Sequence, residues 1–404
     1  MTQASGGPLT GYRVLELCST IAGPACTRLF ADFGAEVIKI EPPEGDAVRK
    51  LGVPDRGVHL YATSILRNKR AVTIDLKTPD GVALALELAA ACDIVVENFR
   101  PGVLERLGLG YDVLSKRKPA CVLVRISGYG QTGPNREKAG YGAICEAFGG
   151  IRELIGEPDR PPPRVAVPVT DYLSAAYAAF GATLALLEAR RSGKGQVVDV
   201  ALYETAFSMM ESSIPGYDRF KYSPTREGSR LPFMAPNNLY RANDGTFVLL
   251  AANSDATFKR LGEAMAAEGW LERYPTIPSR WQKVDALDAE IGAWVGARSA
   301  AEAECILDKH GVPVSRVYKL SDIYQDPHYQ AREMLTRVPH ETLGSIMQLG
   351  IVPKLSATPG GVRWAGPEQS ADTRSVLKDL AGLSDAQLDA LEQRGVIRQR
   401  RERP

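Results

Sequence analysis

Asp171 is the residue whose surroundings point most directly to chemistry. It follows an apolar segment, Val165-Ala166-Val167-Pro168-Val169-Thr170, and precedes a long Ala-rich helical stretch that opens at Tyr172. A carboxylate placed there serves as a plain helix N-cap, a common role worth about 1 kcal/mol. The same place also suits a nucleophile. The helix dipole and free amides hold a carboxylate ionised, and apolar walls leave it poorly hydrated and able to attack an activated carbonyl. Residue types alone leave both readings open. Other chemistries have thinner support. The chain has four histidines, His59, His310, His328 and His340, which disfavours His-rich metal sites and imidazole relays. It has no H-E-x-x-H, no G-x-x-x-x-G-K-[ST] and no G-x-S-x-G. The turn Cys18-Ser19-Thr20-Ile21-Ala22-Gly23-Pro24-Ala25 offers one glycine where a dinucleotide fingerprint needs three.

The elements that must position Asp171 alternate between strand and helix. Arg13-Val14-Leu15-Glu16-Leu17, Val37-Ile38-Lys39-Ile40, Ala71 to Leu76, Asp93 to Glu97 and Cys121 to Ile126 read as strands; Ala25 to Phe33 reads as a helix. Thr78-Pro79-Asp80 opens another, with a capping hydroxyl and proline at the first helical position. This alternation predicts an α/β layer on a mostly parallel sheet. After a Pro-rich loop comes the Ala-rich helix, then Gly193-Lys194-Gly195-Gln196 and the strand Val197-Val198-Asp199-Val200. From residue 222 the texture changes to longer loops and Trp-bearing helical stretches. The expected division is therefore 1–221, a large α/β domain, 222–325, a smaller α+β domain, and 326–404, a return segment that completes the first. Ser384-Asp385-Ala386-Gln387 near the end is a capping-box pattern.

Composition narrows the class. A length of 404 residues suits two or three domains, and 44% hydrophobic residues can fill their cores. Lys and Arg total 49 against 48 Asp and Glu, a net charge of +1, so nothing draws the chain towards nucleic acid or an anionic membrane. The stretch from Tyr172 to Leu187 is too short to span a bilayer and reads as a buried helix. The N-terminus lacks the pattern of a signal peptide. Six scattered cysteines without a C-x-x-C pair suit reduced, buried thiols, and a cytoplasmic location is expected.

A longer pattern bears on Asp171. Arg13 to Leu17, Ala22-Gly23-Pro24, Phe33 to Pro43 (FGAEVIKIEPP), Gly45-Asp46 and Asn68-Lys69-Arg70 occur in order. Val96 to Gly102 (VENFRPG), Ser127 to Pro134 (SGYGQTGP), Gly193 to Gln196 and Asp326-Pro327-His328-Tyr329 follow. Together they resemble the class III CoA-transferases, which include formyl-CoA transferase, carnitine CoA-transferase and the α-methylacyl-CoA racemases. The resemblance covers nearly the whole chain. It implies that family's fold, a Rossmann-like domain with a smaller domain in an interlocked homodimer.

The resemblance also implies roles. The catalytic aspartate falls on Asp171, which attacks a donor acyl-CoA thioester to form an anhydride and then carries CoA as an aspartyl thioester. With a reference pKa of about 3.9, an aspartate needs no base to activate it. Thr20, Ile21 and Ala22 match the loop beside the thioester. Ile74, Asp75, Leu76 and Lys77, with Asn98, Phe99, Arg100 and Arg106, match CoA-contacting segments, and cations there suit the CoA phosphates. Tyr141 stands where the racemases carry a histidine and formyl-CoA transferase a tyrosine. A tyrosine is a poor base at neutral pH, so transferase is expected over racemase. Coenzyme A enters as a substrate; no tightly bound cofactor or metal is implied.

The run from Ser127 to Pro134, with Leu231 to Asn238 and Ile351 to Ser356, looks like transferases that pass CoA from succinyl-CoA to small dicarboxylates. A distal carboxylate calls for a cation, and Arg226 or Arg230, in the loop bearing Gly228, is the expected source. Transfer within one substrate, as for mesaconyl-CoA, remains an alternative, as does racemisation.

Overall fold

The computed structural model describes residues 6–400. Six strands form a parallel sheet: β1 (Arg13–Leu17), β2 (Glu36–Glu41), β3 (Lys69–Ile74), β4 (Ile94–Glu97), β5 (Val122–Ser127) and β6 (Val197–Ala201). Their spatial order is β3-β2-β1-β4-β5-β6. The order reverses between β1 and β4, and ligands of such sheets bind in the crevice outside the carboxyl ends of the strands at that switch. Side chains alternate across the sheet. Val14, Val37, Val96 and Val124 pack on one face with helix α1 (Ala22–Asp32) and the long helix Val169–Ser192; Leu15, Ile38, Val95 and Leu123 pack on the other. Burial on both faces accounts for the near-continuous apolar runs that the sequence shows.

Helix α1 starts earlier than expected, at Ala22, with Gly23 and Pro24 in its first turn. A proline there removes only an N–H that would have no helical partner. Helix α2 (Pro79–Ala90) is capped by the Thr78 hydroxyl, which accepts from Gly81 N, as the sequence predicts. Helices α3 (Gly142–Phe148) and α4 (Val169–Ser192) follow. By length and composition α4 could cross a bilayer, which the shorter stretch from Tyr172 to Leu187 did not suggest. Its edge of Ala175, Ala178, Ala182, Ala185 and Ala189 is nevertheless buried in the core.

The chain divides into two compact units. The large unit takes residues up to Ile151, Val165–Glu211 and the return from His328. The small unit takes Ser212–Pro327 together with Arg152–Arg164. That second piece, expected within the large domain, is stitched to the small unit. Gly228 N donates to Gly156 O at 3.0 Å, and Arg226 pairs with Glu153. Within the small unit, β7 (Asn237–Arg241), β8 (Phe247–Ala251) and β9 (Val314–Arg316) form an antiparallel sheet ordered β9-β8-β7. Its core stacks Phe258 on Trp270 at 5.4 Å. In the return segment β10 (Leu335–His340) and β11 (Gly344–Leu349) make a hairpin, and β12 (Ile397–Arg398) adds antiparallel to β3. The capping box at Ser384 forms as read.

Four fully buried charges sit between the sheet and α1. Lys39 Nζ lies 2.8 Å from Glu16 Oε1 and 2.6 Å from Asp46 Oδ2; Lys69 Nζ lies 2.7 Å from Glu16 Oε2. Lys69 also donates to Pro24 O and Thr27 Oγ1, and Lys39 to Cys18 O. Burial alone would raise the pKa of Glu16 and Asp46. The lysines outweigh it, and both carboxyls end below their ordinary values. Lys39, wedged between two carboxylates, is shifted up. Lys69 is drawn down by burial despite Glu16.

Removing one member leaves an uncompensated buried charge, so Glu16→Gln should lower unfolding stability by about 3–5 kcal/mol in urea titrations. Carboxyls with depressed folded pKa values contribute stability above their unfolded pKa and lose it as pH falls through the folded one. Wild-type stability should therefore decline as pH falls from the ordinary carboxylate range towards the lower folded values, and that acid-side loss should shrink in the variant.

Candidate active site

The loop after β1, the loop after β4 and the end of β5 enclose a cavity of about 300 Å³ at the switch point. Its lining brings together Thr20, Ile21, Ala22, Asn98, Phe99, Arg100, Tyr141 and Asp171, all singled out from the sequence. Ile74, Asp75, Leu76, Lys77 and Arg106 do not line it. Ile74 is wholly buried at the end of β3, beside β12. Asp75 Oδ1 turns back to accept from Lys77 N at 2.9 Å, and Lys77 lies out on the surface near Glu44. Arg106 is exposed in the short helix Val103–Arg106. Arg226 and Arg230 belong to the small unit. There Arg226 holds Glu153 and the Glu157 carbonyl, and Arg230 holds Asp285 and Asp288.

Asp171 is not the cap of its helix. Pro168 occupies that position, with no side-chain capping bond, and α4 begins at Val169. Asp171 stands in the first helical turn, where the dipole favours a negative charge without tying the carboxylate to a capping geometry. Its carboxylate lies against the backbone of Gly142, the first residue of α3. A Cβ added at Gly142 would come within 2.0 Å of Oδ2 and 2.9 Å of Cγ. Gly128 and Gly140 pack equally closely: a Cβ on Gly128 would stand 2.9 Å from the Gly140 Cα. Asp171 thus rests on bare backbone at Gly142, and Gly128 and Gly140 add bare backbone to the cavity wall. Next to it, the buried Cys145 thiol donates to Gly128 O at 3.3 Å. Burial first, and the Asp171 charge second, push its pKa to about 11. At neutral pH it is a thiol and not a competing thiolate.

The loop after β1 is held in an uncommon conformation. Thr20 has φ +71°, a left-handed value that a β-branched residue seldom adopts. Asp46 Oδ1 accepts from Thr20 N at 3.1 Å and from the Ser19 hydroxyl at 2.9 Å, while its other oxygen pairs with Lys39. From the opposite side Asn98 accepts from Ser19 N at 2.9 Å and donates to Ser19 O at 2.8 Å. Asn98, expected as a CoA contact, therefore locks the two switch-point loops together. Behind it, Glu97 accepts from Phe99 N at 2.7 Å and from Arg125, whose far end reaches Glu105. Burial raises the Glu97 carboxyl to about 7 in spite of Arg125.

Several site residues escaped the sequence reading. Arg136 and Lys138 add exposed cations to the cavity rim. Tyr61 places its hydroxyl 2.8 Å from that of Tyr172, the residue after Asp171. Burial, that hydrogen bond and the Asp171 charge all raise its pKa, so it stays a neutral phenol. Tyr141, by contrast, is exposed at the cavity edge. Among the described residues no group of three or more His, Cys, Asp and Glu side chains could hold a metal ion. The arrangement offers one carboxylate on bare backbone, flanked by cations for an anionic ligand.

The contact with Gly142 is testable. Gly142→Ala must displace the Asp171 carboxylate. Turnover should fall by about a hundredfold, the loss expected of a reacting group moved by about 1 Å, while circular dichroism and melting temperature stay close to wild type.

Comparison with known proteins bears directly on this site. Residues 9–373 match the model of CoA-transferase family III. The chain is 44% identical over 394 residues to a succinyl-CoA–D-citramalate CoA-transferase of Chloroflexus aurantiacus, covering 96% of this chain and 98% of the relative. It is 36% identical over 397 residues to the beta subunit of a succinyl-CoA–L-malate CoA-transferase of the same organism, covering 96% and 98%. The crystal structure of a CAIB/BAIF family protein from Brucella suis superimposes with a TM-score of 0.83 at 30% identity, over 93% of this chain and 100% of that one. The chain belongs to CoA-transferase family III and is an enzyme of that class.

Proposed function

We propose that this enzyme moves CoA from succinyl-CoA to a small dicarboxylic acid of the 2-hydroxy type, through a thioester on Asp171. The observation that carries the mechanism is the placement of that carboxylate. It lines the cavity at the switch point, in the first turn of α4 and against the bare backbone of Gly142. The acceptor class is supported by the citramalate and malate transferases to which the chain is similar.

The steps balance without an external base. An Asp171 oxygen attacks the succinyl thioester carbon, the C–S bond breaks, and CoA leaves as a thiolate from a mixed anhydride. The thiolate attacks the Asp171 carbonyl carbon and releases succinate, which carries away the attacking oxygen. The acceptor carboxylate then attacks the aspartyl thioester carbon, the C–S bond breaks, and CoA leaves again as a thiolate from a second anhydride. Thiolate attack on the acceptor carbonyl gives the new acyl-CoA and restores Asp171. Each anhydride is short-lived only if the thiolate stays close, so the cations Arg100, Arg136 and Lys138 have the task of holding CoA through both halves.

A homodimer and a cytoplasmic location belong to the same proposal. Helix α4 leaves an apolar stripe at helical spacing, Tyr177, Phe180, Leu184 and Leu187, with Phe180 62% and Leu187 63% exposed. A helix apolar on both sides asks for cover on both, and a second copy supplies it. Cys18, Cys26, Cys92, Cys121 and Cys145 are buried, unpaired thiols, as suits a reducing compartment.

Incubation with succinyl-CoA and a panel of free acids, followed by mass spectrometry of the acyl-CoA products, should give new thioesters of 2-hydroxydicarboxylates. Asp171→Ala should abolish them, and surviving transfer would refute the mechanism. Light scattering should report a dimer that Phe180→Glu weakens.

A further inference from the structure

One charge near the site has no counterpart. Arg28, on α1, has its Nε buried without a hydrogen-bond partner, and among the described residues its guanidinium forms no ion pair. The carboxylate within reach, Asp32, is already engaged. Arg67 grips it with Nε at 2.9 Å and Nη2 at 2.6 Å, and Asn68 donates to it at 2.9 Å. Burial and the Arg67 charge both pull the Arg28 pKa down. A guanidinium does not respond by giving up its proton, so the environment calls for an anion.

The surroundings indicate which one. The Arg28 guanidinium lies 5.9 Å from the centre of the Tyr172 ring. Tyr172 follows Asp171 in the chain, and its hydroxyl meets that of Tyr61, which itself feels the Asp171 charge. Arg28, the two phenols and the nucleophile therefore form one neighbourhood in the large unit. The other cations are placed for different work. Arg100, Arg136 and Lys138 are exposed on the cavity rim, where phosphates can reach them. Arg226 and Arg230 already hold carboxylates of the small unit.

We propose that Arg28 is a specificity-determining residue of the transfer: it holds the free carboxylate of the dicarboxylate, first in the succinyl donor and then in the acceptor, while Asp171 reacts at the other end. One cation serves both because both acyl groups are formed on the same aspartate and must be presented to it alike. The Tyr61 and Tyr172 hydroxyls, 2.8 Å apart in the same neighbourhood, suit the polar substituent of a 2-hydroxy acid. The inference rests on the dicarboxylate reading above.

The test compares wild type, Arg28→Gln and Arg28→Lys. Donors are succinyl-CoA and butyryl-CoA, which lacks the remote carboxylate; acceptors are a 2-hydroxydicarboxylate and the matching monocarboxylate. Arg28→Gln should raise KM for both dicarboxylate substrates by about tenfold to a hundredfold, the range for losing a hydrogen bond to a charged group. It should change kcat less and erase the preference for succinyl-CoA. Arg28→Lys should recover part of that preference. Free succinate should raise the melting temperature of wild type and not of Arg28→Gln, a binding readout independent of turnover. An unchanged preference in Arg28→Gln would overturn the proposal. So would equal loss with all substrates in a protein turned monomeric, since the missing anion would then come from a second copy. Should Arg28→Gln fail to fold, a wild-type KM in Arg28→Lys overturns it as well. A wild type that transfers nothing to dicarboxylates defeats the functional reading alone; succinate protection that depends on Arg28 would still support the anion site.

Discussion

The buried ion cluster of Glu16, Lys39, Lys69 and Asp46 is the constraint on which the site depends. It joins β1, β2 and β3 to the first turns of α1, and its fourth member is also the anchor of the loop after β1. Charges in a dry interior are tolerated only when each has its opposite at hand, so these four residues admit one arrangement. Lys39 and Lys69 must both reach Glu16, and Asp46 must come down to Lys39. In doing so Asp46 leaves one oxygen free to hold Ser19 and Thr20. The strained backbone at Thr20 persists because the ions beneath it cannot move independently.

From that anchor the chemistry follows by proximity. Asn98 ties the fixed loop to its counterpart across the switch point, and the cavity opens between them. Asp171 enters from a different element, the first turn of α4, and is seated on a glycine of α3. What the fold contributes is position: a carboxylate with a neutral thiol and a neutral phenol nearby, and cations at the rim. On the proposed mechanism that arrangement works by orientation and electrostatics more than by proton transfer.

Much of this was legible in the order of residues. Alternating strands and helices predicted the parallel sheet, and an apolar run before a long helix drew attention to Asp171, which lines the cavity. The loops at Thr20 and Asn98 were found through their motifs; Asn98 lines the cavity and also holds the neighbouring loop. What stayed hidden depends on pairings across the chain. Nothing local distinguishes Lys39 from a solvated strand lysine, because its partners lie 23 and 7 positions away and meet it only in the fold. Nothing local to Gly142 signals the contact that Asp171 makes with it. Arg226 and Arg230 looked like available cations because Glu153, Asp285 and Asp288 are remote in sequence. Nothing local singles out Arg28 either, since its lack of an ion-pair partner appears only once Arg67 has claimed Asp32.

The central claim is that CoA passes through covalent attachment to Asp171, and oxygen reports on it directly. Turnover with succinyl-CoA and an acceptor whose carboxylate carries heavy oxygen, followed by peptide mass spectrometry, reads where that oxygen goes. The account predicts one heavy oxygen in the side chain of Asp171, left there when the second anhydride is cleaved, and its later appearance in released succinate. Heavy oxygen in succinate with none ever found on Asp171 would mean that acceptor and donor react with each other directly, and would contradict the account.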